Sequence, residues 1–528
     1  MLNFFRRIYL NSFFYDKKIS KTYNYNFKYK PSSHLLTSII KVQTKKFNVD
    51  DFSLENVWIN KKLNQKQINK LNNFFWLLGL DLKSSSMSVQ LIIKNWIEIN
   101  YKYNIKNWNF KTTSKRIISW LSNSKLTYDN SIGQYKKDFN QIVLKQTSHL
   151  INQIDRVDNP SDKLVGASAI ILVGLCYNDY KNLTLKGLNN LRKIIKNDLD
   201  SYGFPKSRNI HLLIFFLKYL ILIREWFKES QNEIPEFINE NIFYLGQYYA
   251  FFWQNINLDL LFNGNNKSDN INFDLYLKRL GYSFKNEKNE IGNYVILRNK
   301  GKIIVMDLGS SPNRKFSRDY QAGALSFEFI SDGEKVLTNP GYYSEKNIKL
   351  NELCKSSALH NVLTIDDNSS CKFKKKSDSE LEIKEGLKIT QKNIIFEKNY
   401  WKIMGEHDGY LKKYNLLYKR EIEFYPEKNK LIGLEKITGK KTIPNLKFDI
   451  RFHLSPSAKI MKTQDNKSVL IELENAGWKF TCDDYEINID NGIYFANKST
   501  YSENQNIFIS GITNSQINRI KWELSKIL

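Results

Sequence analysis

The spacing of apolar residues in this 528-residue chain changes once, and that change limits what it can fold into. From about residue 61 to 262 they recur every three or four positions, the period of one helix face. Phe75, Trp76, Leu78 and Leu80 precede a break at 81–86, and Leu91, Ile92, Trp96 and Ile99 mark the next helix. The same spacing covers about 111–124, 134–154, 162–177, 183–199, 208–230 and 235–260. Helices of this length with short connections predict an antiparallel array of helical hairpins. After the polar, Asn/Gly-rich stretch 263–270 the period becomes two. Leu325, Phe327 and Phe329 alternate with Ser326 and Glu328, predicting one buried and one exposed face. Asp332-Gly333 supplies a hairpin turn before Val336 and Leu337. Strand-like runs follow at 362–365, 394–404, 411–424, 431–437, 448–454, 468–473 and 507–512. Many strands without intervening helices predict a large antiparallel sandwich. The expected architecture is therefore α then β, with 263–270 as the joint between two cores.

Composition narrows the partners. Hydrophobic residues make up 41% and aromatics 14%, enough for most of the chain to fold. Lys and Arg number 80 against 54 acidic residues, a net charge of +26. Such an excess suits a polyanion: nucleic acid, a membrane surface or an acidic polysaccharide. The lysines are scattered, with short runs such as 372–376, and Lys, Asn, Ile, Tyr and Phe abound as in AT-rich coding DNA. A solvated basic surface accounts for much of the charge. Without an Arg-rich tail or zinc-ligand spacing, a nucleic-acid partner is not expected. Cys176, Cys354, Cys371 and Cys482 lie far apart, which speaks against a disulfide framework or a structural zinc site. The opening MLNFFRRIYLNSFFYDKK carries Arg6 and Arg7, but Asn11 and Asp16 break its apolar run. It lacks the apolar core and small-residue cleavage site of a signal peptide. Residues 212–223, interrupted by Lys218, are too few to span a bilayer. A soluble protein is expected, with no transmembrane segment.

Several segments carry a resemblance. YQAGALSFEFISDGEKVLTNPGYY at 320–343 resembles the first strand pair of the heparinase II/III-like domain. There, a His/Ala/Asp-rich turn leads into a Leu-Ser-Phe-Glu strand, a hairpin and a Pro-Gly turn. SSALHNVLTIDD at 356–367 resembles the family's Ser-Thr-Ala-x-His-Asn segment, and 406–422 and 448–456 look like later strands of the same domain. FFWLLGL at 74–80, NWIEIN at 95–100, KRIISWL at 115–121, SRNIHLL at 207–213 and NLDLLFNGNN at 257–266 are similar to the helical domain of bacterial members. The resemblance implies a mixed segment at 1–60, an (α/α) toroid-like helical domain at 61–265 and a β-sandwich at 270–528. It implies a periplasmic or envelope location, with the cytoplasm as the alternative, and leaves the oligomeric state open.

Lyases of this family cleave uronate-containing polysaccharides by β-elimination and need no redox cofactor. The hard step removes a proton α to a carboxylate, so a catalyst needs a polar or cationic group on the carboxylate, a base and an acid. The resemblance places catalytic candidates at His360, Tyr342, Tyr343 and Gln321, and substrate-binding candidates at Arg208, Asn209, His211 and Asn361. The chain also departs from the family. Gln321 and Gly323 stand at the His and Asp positions of the turn, Asn339 precedes the Pro-Gly turn, and neither amide nor glycine is a titratable base. In the helical half Asn159 is followed by Pro160, and Ile210 stands where a Tyr is expected. A lone His360 among neutral amides is a poor zinc site, so no metal is expected. Structural readings stand beside these: His360 as a core histidine in a strand, His407 and His453 as structural, Arg208-Asn209 as a helix cap with a solvated Arg. Two functions follow: a lyase acting on an acidic glycan, or a relative that binds such a glycan without cleaving it.

Overall fold

The computed structural model describes residues 2–20, 27–38, 58, 63–80, 84–177, 181–254, 256–268, 270–343, 347–377, 380–439, 445–496 and 501–527. Much of the expected mixed segment at 1–60, and 81–83 within the expected break, lie outside them. Two compact units make up the chain. The first comprises Met1–Gly203, Ile214–Leu245 and Asn272–Tyr282, the second Phe204–Leu213, Gly246–Ile271 and Ser283–Leu528.

Helices come first in the chain. They are α1 (Leu2–Leu10), α2 (Phe13–Ile19), α3 (Gln65–Asn72), α4 (Ser86–Asn100), α5 (Phe110–Ser122), α6 (Ser124–Thr127) and α7 (Gly133–Gln153). Then follow α8 (Pro160–Cys176), α9 (Lys181–Asp198), α10 (Ile210–Glu229), α11 (Glu236–Phe252) and α12 (Asn270–Arg279). Local chemistry sets their starts. Asn109 accepts from the Thr112 amide to open α5, and Asn159 accepts from the Ser161 amide ahead of Pro160, whose missing N–H costs nothing at a first turn. From Leu164 to Cys176, α8 is buried at every position, because α5 and α9 cover it. Gly174 permits this: a Cβ there would lie 2.3 Å from Thr184 Oγ1. In α5 the cation of Arg116 is fully buried. It lies 4.1 Å above the Trp96 ring and donates to the Asn72 carbonyl at 2.8 Å and to Gln146 Oε1 at 3.1 Å. Among the described residues no helix is long and apolar enough to cross a membrane.

The strands are β1 (Glu290–Ile291), β2 (Tyr294–Asn299), β3 (Lys302–Asp307), β4 (Phe327–Ser331), β5 (Glu334–Leu337), β6 (Leu363–Ile365), β7 (Lys372–Ser377) and β8 (Glu380–Glu385). They continue with β9 (Ile389–Phe396), β10 (Trp401–His407), β11 (Leu416–Tyr425), β12 (Lys430–Gly439), β13 (Lys447–His453) and β14 (Lys459–Lys462). Last come β15 (Ser468–Glu472), β16 (Gly477–Thr481), β17 (Ile487–Tyr494), β18 (Ser502–Ile512) and β19 (Ile517–Lys526). Short helices α13 (Ile348–Lys355) and α14 (Leu411–Tyr414) lie among them. Among the described residues they form four antiparallel sheets, in the orders β1-β2-β3-β4-β5, β14-β15-β16-β19-β12-β11-β10-β9, β17-β18-β13-β6 and β7-β8. Strands β10, β11 and β12 bury every second residue, as a one-sided sheet requires. Their inner faces meet the five- and four-stranded sheets in one core. There Trp522 packs on Phe327, Phe452 and Phe480 at ring distances of 5.9, 4.8 and 5.7 Å.

The fold corrects several expectations. Strand β4 is buried on both faces, Glu328 included, and Ser326 just before it is buried too. The Glu328 carboxylate accepts from the Leu261 amide and pairs with Lys335 at 2.8 Å, so segment 257–266 covers the face expected in solvent. Stretch 263–270 is accordingly no open joint. Asn263 and Asn265 are buried and hydrogen-bonded inside the second unit, and Asn270 begins a helix. The run 394–404 is a hairpin of β9 and β10, closed by the Glu397 amide on the Tyr400 carbonyl at 3.0 Å. In 411–424 the helical turn α14 and a left-handed Asn415 (φ 59) precede β11. His360 is not in a strand but ends a single helical turn at Ser357–Leu359.

Candidate functional site

The first unit holds a cavity of about 170 Å³ lined by Tyr103, Ile105, Trp108, Asn109, Phe110, His149, Gln153, Arg156 and Val157. Two loops build it: 101–109 between α4 and α5, and the segment after α7. The rings of Tyr103 and Trp108 lie 6.1 Å apart and both meet His149, at 5.1 and 5.6 Å. His149 is fixed as a neutral ring. Burial pushes it down to about 3, one nitrogen bonds the Trp108 backbone, and Nδ1 accepts from the Tyr15 hydroxyl at 2.8 Å. Gln153 Nε2 donates to the same hydroxyl at 3.2 Å, while Arg6 Nη2 donates to Gln153 Oε1 at 2.7 Å. Burial raises the Tyr103 phenol, and Arg6 and Arg7 pull it back. Arg156 is exposed at the rim. Neither Arg6 nor Arg156 is paired with a carboxylate among the described residues. Aromatic walls beside unneutralised guanidinium groups can stack on a sugar ring and grip its carboxylate by paired N–H donors. Sequence reasoning missed this site. The aromatic-polar run YKYNIKNWNF at 101–110, wedged between two helices, was the available signal.

The residues predicted from the resemblance all fall in the second unit, most of them in a buried polar network. Arg208 has a left-handed backbone (φ 61) and is 6% exposed. Its guanidinium lies 4.6 Å above the Tyr294 ring and pairs with Asp307 at 2.6 and 3.2 Å. The expected solvated Arg is thus an interior cation, drawn in by a carboxylate at the end of β3. Asn209 does cap α10, accepting from the Leu212 amide at 3.1 Å, and donates to Asp319 at 3.0 Å. Burial pushes the Asp319 carboxyl up, but Arg318 and Lys355 hold it below its ordinary value. Gly264 lies against Asn209 with φ 83, a conformation and a closeness that exclude a side chain. Gln321 accepts from the Gly264 amide at 3.2 Å and donates to the Gly341 and Cys354 carbonyls at 2.9 and 2.7 Å. Lys355, buried and pushed down to about 8, donates to the Arg318 and Tyr320 carbonyls.

Asn361 is a hub of the sandwich. Its Nδ2 donates to the Phe327 and Thr338 carbonyls at 2.8 and 3.1 Å, and its Oδ1 accepts from the His453 amide at 2.5 Å. Its carbonyl accepts from Arg420, which is cross-strand partner to Glu435 and ion-paired with it at 2.9 Å in the interior. His360 is 2% exposed. Its Nδ1 faces the Ser356 carbonyl at 2.8 Å, which fixes the proton there; the buried Nε2 has no partner among the described residues, and burial pushes the ring down to about 4. Tyr342 is buried, its phenol raised well above 10 by desolvation, whereas Tyr343 is half-buried against Phe495 at 5.4 Å. His211 is exposed on the first turn of α10. His407 and His453 are buried at strand ends.

The metal that some family members hold does not fit this arrangement. Gln321 has its amide committed to three backbone groups, Gly323 offers no side chain, and Asn339 Oδ1 accepts from the Asn361 amide, leaving His360 Nε2 as a single donor atom.

A helical region followed by antiparallel sheets is the architecture of heparinase III. Residues 288–523 match the family described as "Heparinase II/III-like, C-terminal", so this part of the chain carries a heparinase II/III-like C-terminal domain. Among solved structures it is similar to a heparinase III, with 14% identity over 97% of this chain and 88% of that one and a TM-score of 0.70. It is also similar to the heparan sulfate lyase HepC from Pedobacter heparinus, with 13% identity over 97% and 85% and a TM-score of 0.62. At such identities the likeness establishes the fold. No curated protein sequence matches the chain.

Proposed function

We propose that this protein acts on an acidic, uronate-containing polysaccharide of the cell envelope, cleaving it by β-elimination. The observation that carries the reading is the aromatic cavity of the first unit, with Arg6 and Arg156 beside it free of carboxylate partners among the described residues. Its volume of about 170 Å³ is below the ~300 Å³ at which drug-sized sites begin, which suits a single sugar ring of a longer chain. A guanidinium on the uronate carboxylate stabilises the enolate-like charge that forms when the adjacent proton leaves. Tyr103, flanked by Arg6 and Arg7, is the phenol available for proton transfer. Incubating the purified protein with a panel of uronate polymers tests the reading. Near-ultraviolet absorbance of the 4,5-unsaturated product, lost in Tyr103→Phe, supports it; no absorbance with any polymer removes the lyase claim.

A second reading, binding without cleavage, is favoured by the side chains at the family's catalytic positions. Gln321 and Gly323 supply no titratable group, Asn209 and Asn361 donate within the fold, and the Arg208 guanidinium is paired with Asp307. Calorimetric binding of the same polymers without product would select it.

A further inference from the structure

Helices α1 and α2 each turn one side inward and leave the other uncovered. Inward go Leu10, Tyr15 and Ile19, with Arg6 on Gln153 and Asp16 paired to Lys145 at 2.7 Å. Outward on α1 are Phe4, Phe5, Ile8 and Tyr9, positions that fall on one helical stripe. Outward on α2 are Phe13 and Phe14, followed one turn later by Lys17 and Lys18 on the same stripe. The four phenylalanines are 64, 61, 74 and 78% exposed. Among the described residues their rings meet only edge to face as neighbours, Phe4 on Phe5 at 5.9 Å and Phe13 on Phe14 at 6.3 Å. Arg7, Lys17 and Lys18 stand among them without a carboxylate partner among the described residues.

So much clustered aromatic surface is costly in water and marks a contact. From these observations we propose that α1 and α2 form an interfacial anchor that lies on an anionic lipid surface, aromatic rings in the acyl boundary and basic side chains at the headgroups. Helices of 9 and 7 residues are about 14 and 10 Å long, too short to cross a ~30 Å hydrocarbon core but suited to lie along its edge. Charge selects the lipid over a second copy of the chain. A two-fold contact through this face would set Arg7, Lys17 and Lys18 against the same three cations, whereas an anionic leaflet neutralises them. The net charge of +26 adds attraction of the same sign.

Co-sedimentation of the 528-residue chain with vesicles tests the proposal. Vesicles of phosphatidylcholine mixed with phosphatidylglycerol should bind it, and vesicles of phosphatidylcholine alone should bind it at least about tenfold more weakly, with the difference shrinking as salt rises. Replacing Phe4, Phe5, Phe13 and Phe14 by Ser should raise the lipid concentration for half-binding by about tenfold or more with an unchanged melting temperature, since none is in a core. Lys17→Glu with Lys18→Glu should remove the preference for anionic vesicles and leave the rings untouched. Equal sedimentation of wild type and both variants, or no binding to either vesicle, overturns the proposal. So does a dimer in light scattering that the serine variant abolishes, because the face would then be filled by a second copy.

Discussion

Removing the Arg208 guanidinium should destabilise the second unit rather than merely weaken a surface contact. Arg208→Ala deletes the paired contact with Asp307 at 2.6 and 3.2 Å and the cation over the Tyr294 ring. Breaking a buried pair by removing one partner costs about 3–5 kcal/mol, chiefly the charge left behind. Asp307 keeps the Asn263 Nδ2 and Gly309 amide donors at 2.9 Å each, so the lower end, about 3 kcal/mol, is expected. The backbone adds a second test. Position 208 has φ 61, where alanine is strained and glycine is not, so Arg208→Gly should be about 1 kcal/mol more stable than Arg208→Ala. Thermal unfolding followed by circular dichroism at the β-sheet band would show Arg208→Ala melting about 5–10 °C lower. Arg208→Lys, with charge but no fork, should fall between it and wild type. A melting temperature for Arg208→Ala within about 1 °C of wild type would refute the buried-pair reasoning.

Three further outcomes are expected. Asn361→Ala strands two carbonyls and the His453 amide, and should cost about 3–5 kcal/mol by denaturant titration; a loss under about 1 kcal/mol would show that the hub is dispensable. His360 is held near pH 4, and His149, His407 and His453 near 3, by burial. Because the unfolded chain takes these protons first, stability is full above about pH 6.5 and falls as pH drops toward 4, by about 1.4 kcal/mol per pH unit for each ring. Melting temperature should fall with pH across that window, and His360→Gln should remove about a quarter of the histidine slope; a flat profile would sink the assignment. In the cavity, Arg156→Ala should weaken uronate-oligomer binding about tenfold, the loss of one charge-assisted contact, with no change in melting temperature because the side chain is exposed. Unchanged affinity would move the carboxylate elsewhere.

What could be read from the chain depended on how local its cause was. The all-round apolar run of α8 and the alternation in β11 are one-dimensional patterns, so both elements were legible with ends displaced by only a few residues. Asn209 was legible as a cap because its partner, Leu212, is three residues away. Arg208 was not, because Asp307 lies 99 residues on, and an Arg ahead of a helix reads as solvated unless that carboxylate is known. Glu328 failed for the same reason: charge in an alternating strand implies an outer face, and the cover comes from Leu261, 67 residues earlier. The polar composition of 263–270 signalled a linker, yet its asparagines are polar because they hydrogen-bond buried backbone and side chains. The cavity was hidden because its two loops are separated in sequence, and each alone looks like an ordinary helix connection.

The buried amides bear on how a heparinase II/III-like scaffold can lack the family's ionisable groups and still hold its shape. A histidine in place of Gln321 would offer two ring nitrogens, whereas the amide spans three backbone groups at once, the Gly264 amide and the Gly341 and Cys354 carbonyls. The substitution therefore exchanges a titratable position for a clasp between segments 263–266 and 339–343. Gly323 acts in the same direction. A Cβ there would sit 2.7 Å from His360 Cδ2, so the ring occupies the space that an acidic side chain would need. With Gln321 and Gly323 devoted to packing, His360 Nε2 is the one basic lone pair left at that turn, and it is enclosed. Chemistry in the second unit then requires that the turn at 357–361 open, an event opposed by all the bonds that Asn361 and Arg420 make. The function proposed above therefore uses the cavity of the first unit, where the walls are aromatic, the rim is cationic and no strand pairing has to break.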